Sequence, residues 1–289
     1  MKNISTGFWN PLFARILFVF NRNRITWIGV VLLLILVSLA VLAPVISPYN
    51  PVEQHITDQL KGPSAKYWLG TDEYGRDLFS RIVWGARISL TVGTISVILG
   101  MIIGSILGMY AGYRGGVWDD LIMRAMDVFM SIPTLLMGLF VVAVLGPSMV
   151  NLIVAIALTV VPRFARIARA PTVSIKERDY IEACRAMGFS DLRIMTVHVL
   201  PNILGDIMVM GSLWIATAVR IEASLSFIGL GVPPPTPTWG GMVREGFEMM
   251  LDSPWPSIYP GIFILLTVFA FNLIGDGLRD VIDPRLRES

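Results

Sequence analysis

Charge and sulfur are what this sequence has least of. Only 15% of its 289 residues are charged, against about 25% in an ordinary soluble domain, while 54% are hydrophobic. A soluble chain this apolar needs an implausibly large core for its length, so part of its surface is expected to face lipid. The single cysteine, Cys184, excludes an intrachain disulfide and leaves the redox compartment open. His55 and His198, the two histidines, lie far apart in sequence, which argues against a His/Cys metal site. Catalytic signatures are missing too. None of Lys2, Lys61, Lys66 and Lys176 follows a glycine, so there is no G-x-x-x-x-G-K-[ST] phosphate-binding loop. H-E-x-x-H, C-x-x-C and G-x-S-x-G are absent as well. An intramembrane hydrolase is disfavoured, because both histidines lie outside the predicted spans and Asp127, Asp206 and Asp276 sit at span ends.

What is present is a set of long uncharged runs. A helix needs about 20 apolar residues to cross a hydrocarbon core of about 30 Å. Residues 25–46 and 88–113 each supply such a run. Residues 128–162 form an uncharged stretch too long for one span and broken by Gly146-Pro147-Ser148, which predicts a hairpin of two spans ending near Leu145 and restarting near Met149. Residues 207–228 and 259–274 complete an expected six. The first run is longer than the apolar core of a signal peptide, so it reads as an uncleaved span. Lys and Arg number sixteen in the segments that lie inside if the N-terminus is inside, and six in those outside. That asymmetry predicts cytoplasmic N- and C-termini. Before the first span, Trp9, Leu12, Phe13, Ile16, Leu17 and Phe20 recur at helical spacing, which predicts an interfacial amphipathic helix within residues 1–24.

Gly100, Gly104, Gly108 and Gly112 fall on one face of the second span, where they allow another helix backbone to approach closely. Residues 47–87 and 229–257 are too rich in Pro, Gly and Trp to cross a membrane, and suit a stiff outer surface, either a lid or a docking face. Arg220 and Glu222 are the ionisable residues deepest in a span. Such residues are costly, and two apart on a helix they do not face each other. Either they mark a translocation or gating position, or they are structural groups with partners on other helices.

The loop over residues 163–205 is the longest predicted inside segment. Pro171 suits a first helical turn, Gly188 a left-handed helix end, and Ser190 the cap of a second helix ending before Leu200-Pro201. Ala183 and Cys184 leave a shallow surface for a partner protein. Glu182-Ala183-Cys184, then Gly188, then His198-Val199-Leu200-Pro201 resembles the E-A-A…G…I-x-L-P loop of permease subunits in bacterial ABC importers. Cys184 and His198 depart from it, standing where the second alanine and the isoleucine are usual. Leu69-Gly70-Thr71-Asp72-Glu73-Tyr74-Gly75-Arg76-Asp77, Leu225 to Gly231, Pro235 to Gly240 and Asn272 to Asp280 are similar to the C-type permeases for dipeptides, oligopeptides and nickel.

The resemblance implies an all-α integral membrane protein of the type I ABC importer permease fold, in the bacterial inner membrane. It implies a first helix at 25–46, an outer segment at 47–87, a permease core at 88–280 and a tail at 281–289. It implies a non-catalytic subunit without cofactors of its own, ATP and magnesium being bound by two ATPase subunits or domains. Asp179, Tyr180, Glu182, Ala183, Cys184 and Gly188 are the expected docking residues for them. A homologous second permease, an extracytoplasmic substrate-binding protein and membrane lipid are the other expected partners; nucleic acid is not among them. Di- or oligopeptides are the implied cargo, with nickel or another small solute as the alternative. A channel or receptor without an ATPase is the rival class.

Overall fold

A computed structural model describes residues 24–282. The predicted amphipathic helix before Arg24 and the tail after Ile282 lie outside the described residues. Helix α1, Arg24–Val41, is apolar throughout and continues as one turn at Ala43–Ile46. Then come α2 (Leu78–Arg114), α3 (Gly116–Ser131), α4 (Thr134–Leu145) and α5 (Met149–Lys176). The chain goes on through α6 (Asp179–Ala186), α7 (Asp191–Ile194), a π turn at Met195–Val199 and α8 (Leu200–Ile228). It ends in α9 (Trp239–Glu248) and α10 (Trp255–Ile282). Five helical runs are long and apolar enough to cross a membrane, and a sixth forms if α3 and α4 count as one bent span.

Uncharged length proved a better guide to the existence of spans than to their ends. Helix α2 begins at Leu78, ten residues before the predicted span, because Asp77 caps it by accepting from Ser80 N–H at 2.8 Å. The expected outer segment 47–87 therefore gives its last residues to a helix. The hairpin does turn between Leu145 and Met149, but its first arm is not a straight span. Pro133 forces Ile132 into extended backbone (ψ 126°), and α3 and α4 meet at 91°.

Three prolines lie within continuous helical backbone. Helix α5 runs through Pro162 and Pro171 to Lys176, so Pro171 does not open a new helix. Pro201 lies in the first turn of α8, directly after the π turn, where Leu200 N–H bonds Met195 O, five residues back. The longer hydrogen-bond step absorbs the proline, and helical backbone continues from Asp191 to Ile228. The predicted 163–205 loop shrinks accordingly to α6 and its flanking turns.

The centre of the bundle is the contact between α2 and α5. A Cβ on Gly100 would lie 2.6 Å from Val160 Cβ, and one on Gly112 2.9 Å from Arg169 O. On Gly104 and Gly108 it would overlap the carbonyl oxygens of Val161 and Ala165. The glycine face thus meets main chain, as predicted. Around this seam Leu152, Ile156, Val160 and Phe164 of α5 pack with Val92 and Val97 of α2 and Leu225 of α8 in one buried cluster.

Substituting alanine for Gly108 should cost about 1–3 kcal/mol or more, because the obstacle is backbone. Gly261→Ala, where nothing lies within 4 Å of the added carbon, should be neutral. Thermal melting of the detergent-solubilised protein checks this, and equal midpoints for the two variants would refute the close approach.

Candidate functional site

Helix α6 is two turns long and stands at one end of the bundle. Asp179 and Glu182 occupy its first turn, where carboxylates complement the helix dipole, and Arg185 its last. Gly188 adopts φ +78°. Its N–H bonds Arg185 O at 2.9 Å, and Phe189 N–H bonds Cys184 O at 3.1 Å. This pair of bonds is the Schellman helix end, which requires a left-handed residue at Gly188. Ser190 Oγ then accepts from Arg193 N–H and caps α7, as the sequence predicts.

Of the expected docking residues, Asp179, Tyr180, Glu182, Ala183 and Gly188 are exposed on α6 and its turn, Tyr180 at the edge nearest His198. Cys184 is the correction. It is 6% exposed and turns inward with Ile181, which is 0% exposed, because the two share the apolar stripe of the helix. Its thiol meets His198 Nε2 at 3.6 Å. The far end of α2 grips the same corner. Arg185 lies 5.3 Å over the Tyr113 ring, Tyr113 Oη donates to Asp191 Oδ1 at 3.0 Å, and Arg114 pairs with Asp191 at 2.9 Å.

Arg220 and Glu222 are not a pair. Arg220 is exposed and donates to Thr217 Oγ1 at 3.2 Å, within its own helix. Glu222 is fully buried, and its Oε1 accepts from Ser226 Oγ at 2.8 Å. The bond of Arg220 is local to α8, whereas Glu222 also has Ser89 of α2 as a hydrogen-bond partner, as the expectation of a partner on another helix requires.

At the opposite end of α2, about 55 Å away at 1.5 Å per residue, lies a cavity of about 710 Å³. Residues 73–81, the proline-rich stretch 231–238 and α9 enclose it. Arg76 bonds Asp72 at 2.6 Å and Glu245 at 2.8 Å, and Arg81 bonds the same Glu245 oxygen at 2.8 Å. Both arginines are almost fully buried. Trp239, also fully buried, donates Nε1–H to Ile82 O at 3.0 Å, and its ring lies against Gly85. Sequence reasoning assigned no role to this network. Its only signal was five charges within Asp72–Arg81 in an otherwise Gly- and Trp-rich stretch; Glu245 is far along the chain. Glu73, at the cavity wall, has its carboxyl pushed above the usual range, first by burial and then by the charges of Glu245 and Asp72, against a lowering hydrogen bond from Tyr74.

Comparison with known proteins bears on both ends of the molecule. Residues 100–288 match the family model of binding-protein-dependent transport system inner membrane components. Residues 11–63 match the N-terminal transmembrane domain of oligopeptide transport permease C. A dipeptide transport system permease of Alkalihalophilus pseudofirmus is 39% identical over 279 residues, covering 96% of this chain and 90% of the relative. A glutathione transport system permease of Pectobacterium atrosepticum is 42% identical over 287 residues, covering 99% and 94%. An inward-facing structure of a methionine ABC transporter superposes with a TM-score of 0.55 at 20% identity, over 70% of this chain and 97% of that one, a likeness of fold.

Two outcomes follow for the cavity wall. Because burial raises Glu73, its charged form opposes folding at neutral pH, and Glu73→Gln should raise the melting temperature there. The gain should fade as pH falls through the carboxylate range, where wild-type Glu73 takes up its proton; a gain constant with pH counts against the assignment. Glu245→Gln should cost about 3 kcal/mol, since it leaves two buried arginines on one carboxylate, and denaturant unfolding measures it.

Proposed function

This chain belongs to the family of binding-protein-dependent transport system inner membrane components, and from that premise we propose that it is the transmembrane permease subunit of an ATP-driven importer of di- or oligopeptides. One observation carries the coupling part of the reading: a short exposed helix, α6, is clamped between the ends of two long helices. Supporting the cargo are the names of two relatives, which transport a dipeptide and glutathione.

In this reading the α6 end faces the cytoplasm, as do both termini, consistent with the Lys and Arg of residues 163–193. Two ATPase subunits or domains dock there, one of them on Asp179, Tyr180, Glu182, Ala183 and Gly188. They bind ATP and magnesium and supply the energy. This chain contributes levers. A push on α6 reaches α5 on one side and α7 and α8 on the other, because only short turns separate them. Helix α5 is seated on the glycines of α2, so those two move as one body. At the far end, the ion pairs of Arg76 and Arg81 tie the outer segment to α9. The cavity there faces the substrate-binding protein, and a homologous second permease completes the path.

Glu182→Lys places a cation in the first turn of α6 and inverts the charge of the docking surface. It should abolish uptake while the chain still inserts and assembles. Uptake at the wild-type level in cells expressing this variant would sink the docking reading. The purified chain alone should hydrolyse no ATP, and turnover that survives removal of contaminating ATPases would overturn the division of labour.

A further inference from the structure

Helix α6 is joined to the bundle by short turns and a few side-chain contacts. Glu177 and Arg178 precede it and Met187 to Ser190 follow it, all outside regular helix. Main chain alone would therefore leave α6 hinged at both ends. Its buried side consists of Ile181 and Cys184. Ile181 packs in the main apolar cluster, a contact without direction. Two contacts have direction: Arg185 lies 5.3 Å over the Tyr113 ring of α2, and Cys184 Sγ meets His198 Nε2 at 3.6 Å, the one that faces the path to α8.

His198 touches more than the thiol. Its ring stacks on Phe189 at 14°, with centroids 6.4 Å apart, and lies 6.4 Å from the ring of Tyr180 at 58°. Tyr180 and Cys184 are four residues apart and share one face of α6. Phe189 is the residue that closes the helix through its bond to Cys184 O. A single side chain from the next element thus meets the first turn of α6, its last turn and its end lock.

The backbone presents His198 in a particular way. It sits in the π turn, whose extra residue shifts the helical phase by about 100° relative to an unbroken α-helix. Asn202 Nδ2 donates to His198 O at 2.6 Å and helps hold that turn. Cys184 and His198 are also the two positions where the loop departs from the pattern it resembles, and the fold brings the two departures into contact. Among the described residues no three His, Cys, Asp or Glu side chains converge as metal ligands, so the pair is a contact and not part of a metal cluster.

We propose that Cys184 and His198 are a positioning pair that seats α6 on the π turn, so that a displacement of α6 is delivered to α8 instead of being lost in the flanking turns. The proposal rests on the reading of α6 as the ATPase-docking helix. It assigns the pair to the efficiency of coupling, not to docking itself.

The test uses the reconstituted complex with its ATPases and binding protein, and two readouts. The first is the number of peptides moved per ATP hydrolysed. Cys184→Ala and His198→Ile should each lower that ratio by about three- to tenfold. The double variant, which restores an apolar pair, should return to within about twofold of wild type. Singles with the wild-type ratio, or a double variant as poor as the product of the two singles, overturn the proposal. The second readout needs no transport. Cys184 is the chain's only cysteine, so N-ethylmaleimide uptake by this chain, read by mass, reports its accessibility. Labelling should be at least about threefold faster in His198→Ile, and an unchanged rate overturns the contact. The two failures are separable. If Glu182→Lys leaves uptake intact, the docking reading falls and takes this proposal with it. If Glu182→Lys abolishes uptake while both singles keep the wild-type ratio, this proposal alone fails.

Discussion

Four glycines one turn apart on α2 allow α5 to lie against it main chain to main chain. In lipid there is little hydrophobic drive between helices, so close packing has to hold them. The seam does so over about three helical turns, and α5 would be displaced if a side chain stood in it. Everything the molecule does at a distance depends on this contact. Helix α5 ends at the turn before α6, and α2 runs on to the ion pairs around Glu245. Two ends of the protein are thereby joined through one closely packed pair of helices.

The ends are built differently, in line with what each is asked to do. Around Asp72, Arg76, Arg81 and Glu245 the charges are withdrawn from solvent and paired. Such a network tolerates few alternative arrangements, because any broken pair strands a buried charge. Trp239 adds a filled pocket beside it, anchored by a hydrogen bond to Ile82. Around α6 the charges are exposed, the helix is short, and the turn on each side is free of helical constraint. One end is stiff and the other is poised to be moved by contact with something else.

Much of this was legible in the sequence, and the exceptions share a cause. Uncharged length located the spans, the glycine spacing located the seam, and Gly188 and Ser190 took their predicted conformations. These features depend on local chemistry. Pro171 was read as opening a helix and Leu200-Pro201 as following the end of one; α5 instead runs through Pro171, and a π turn before α8 accommodates Pro201. Cys184 was placed on the outer face because smallness suggested a docking surface, whereas the phase set by Ile181 turns it inward. The pairing of Glu245 with Arg76 and Arg81 joins residues more than 160 positions apart, and no local pattern announces it. Hydrophobicity likewise reports that residues 128–145 are apolar but not that they change direction.

That change of direction has a consequence for solvation. Helix α4 has 12 residues, about 18 Å of rise, against a hydrocarbon thickness of about 30 Å. Helix α4 is too short to cross alone, so a span built from α3 and α4 together carries the bend at Ile132-Pro133 within it. A proline donates no hydrogen bond, and an extended residue before it leaves carbonyls outside any helix. Acyl chains offer nothing to satisfy them, so irregular backbone at that depth persists only beside protein or water. Ser131, Ile132 and Pro133 are exposed in the isolated chain. In such a span the bend has to face protein or water, which singles out this side of the chain for a neighbour.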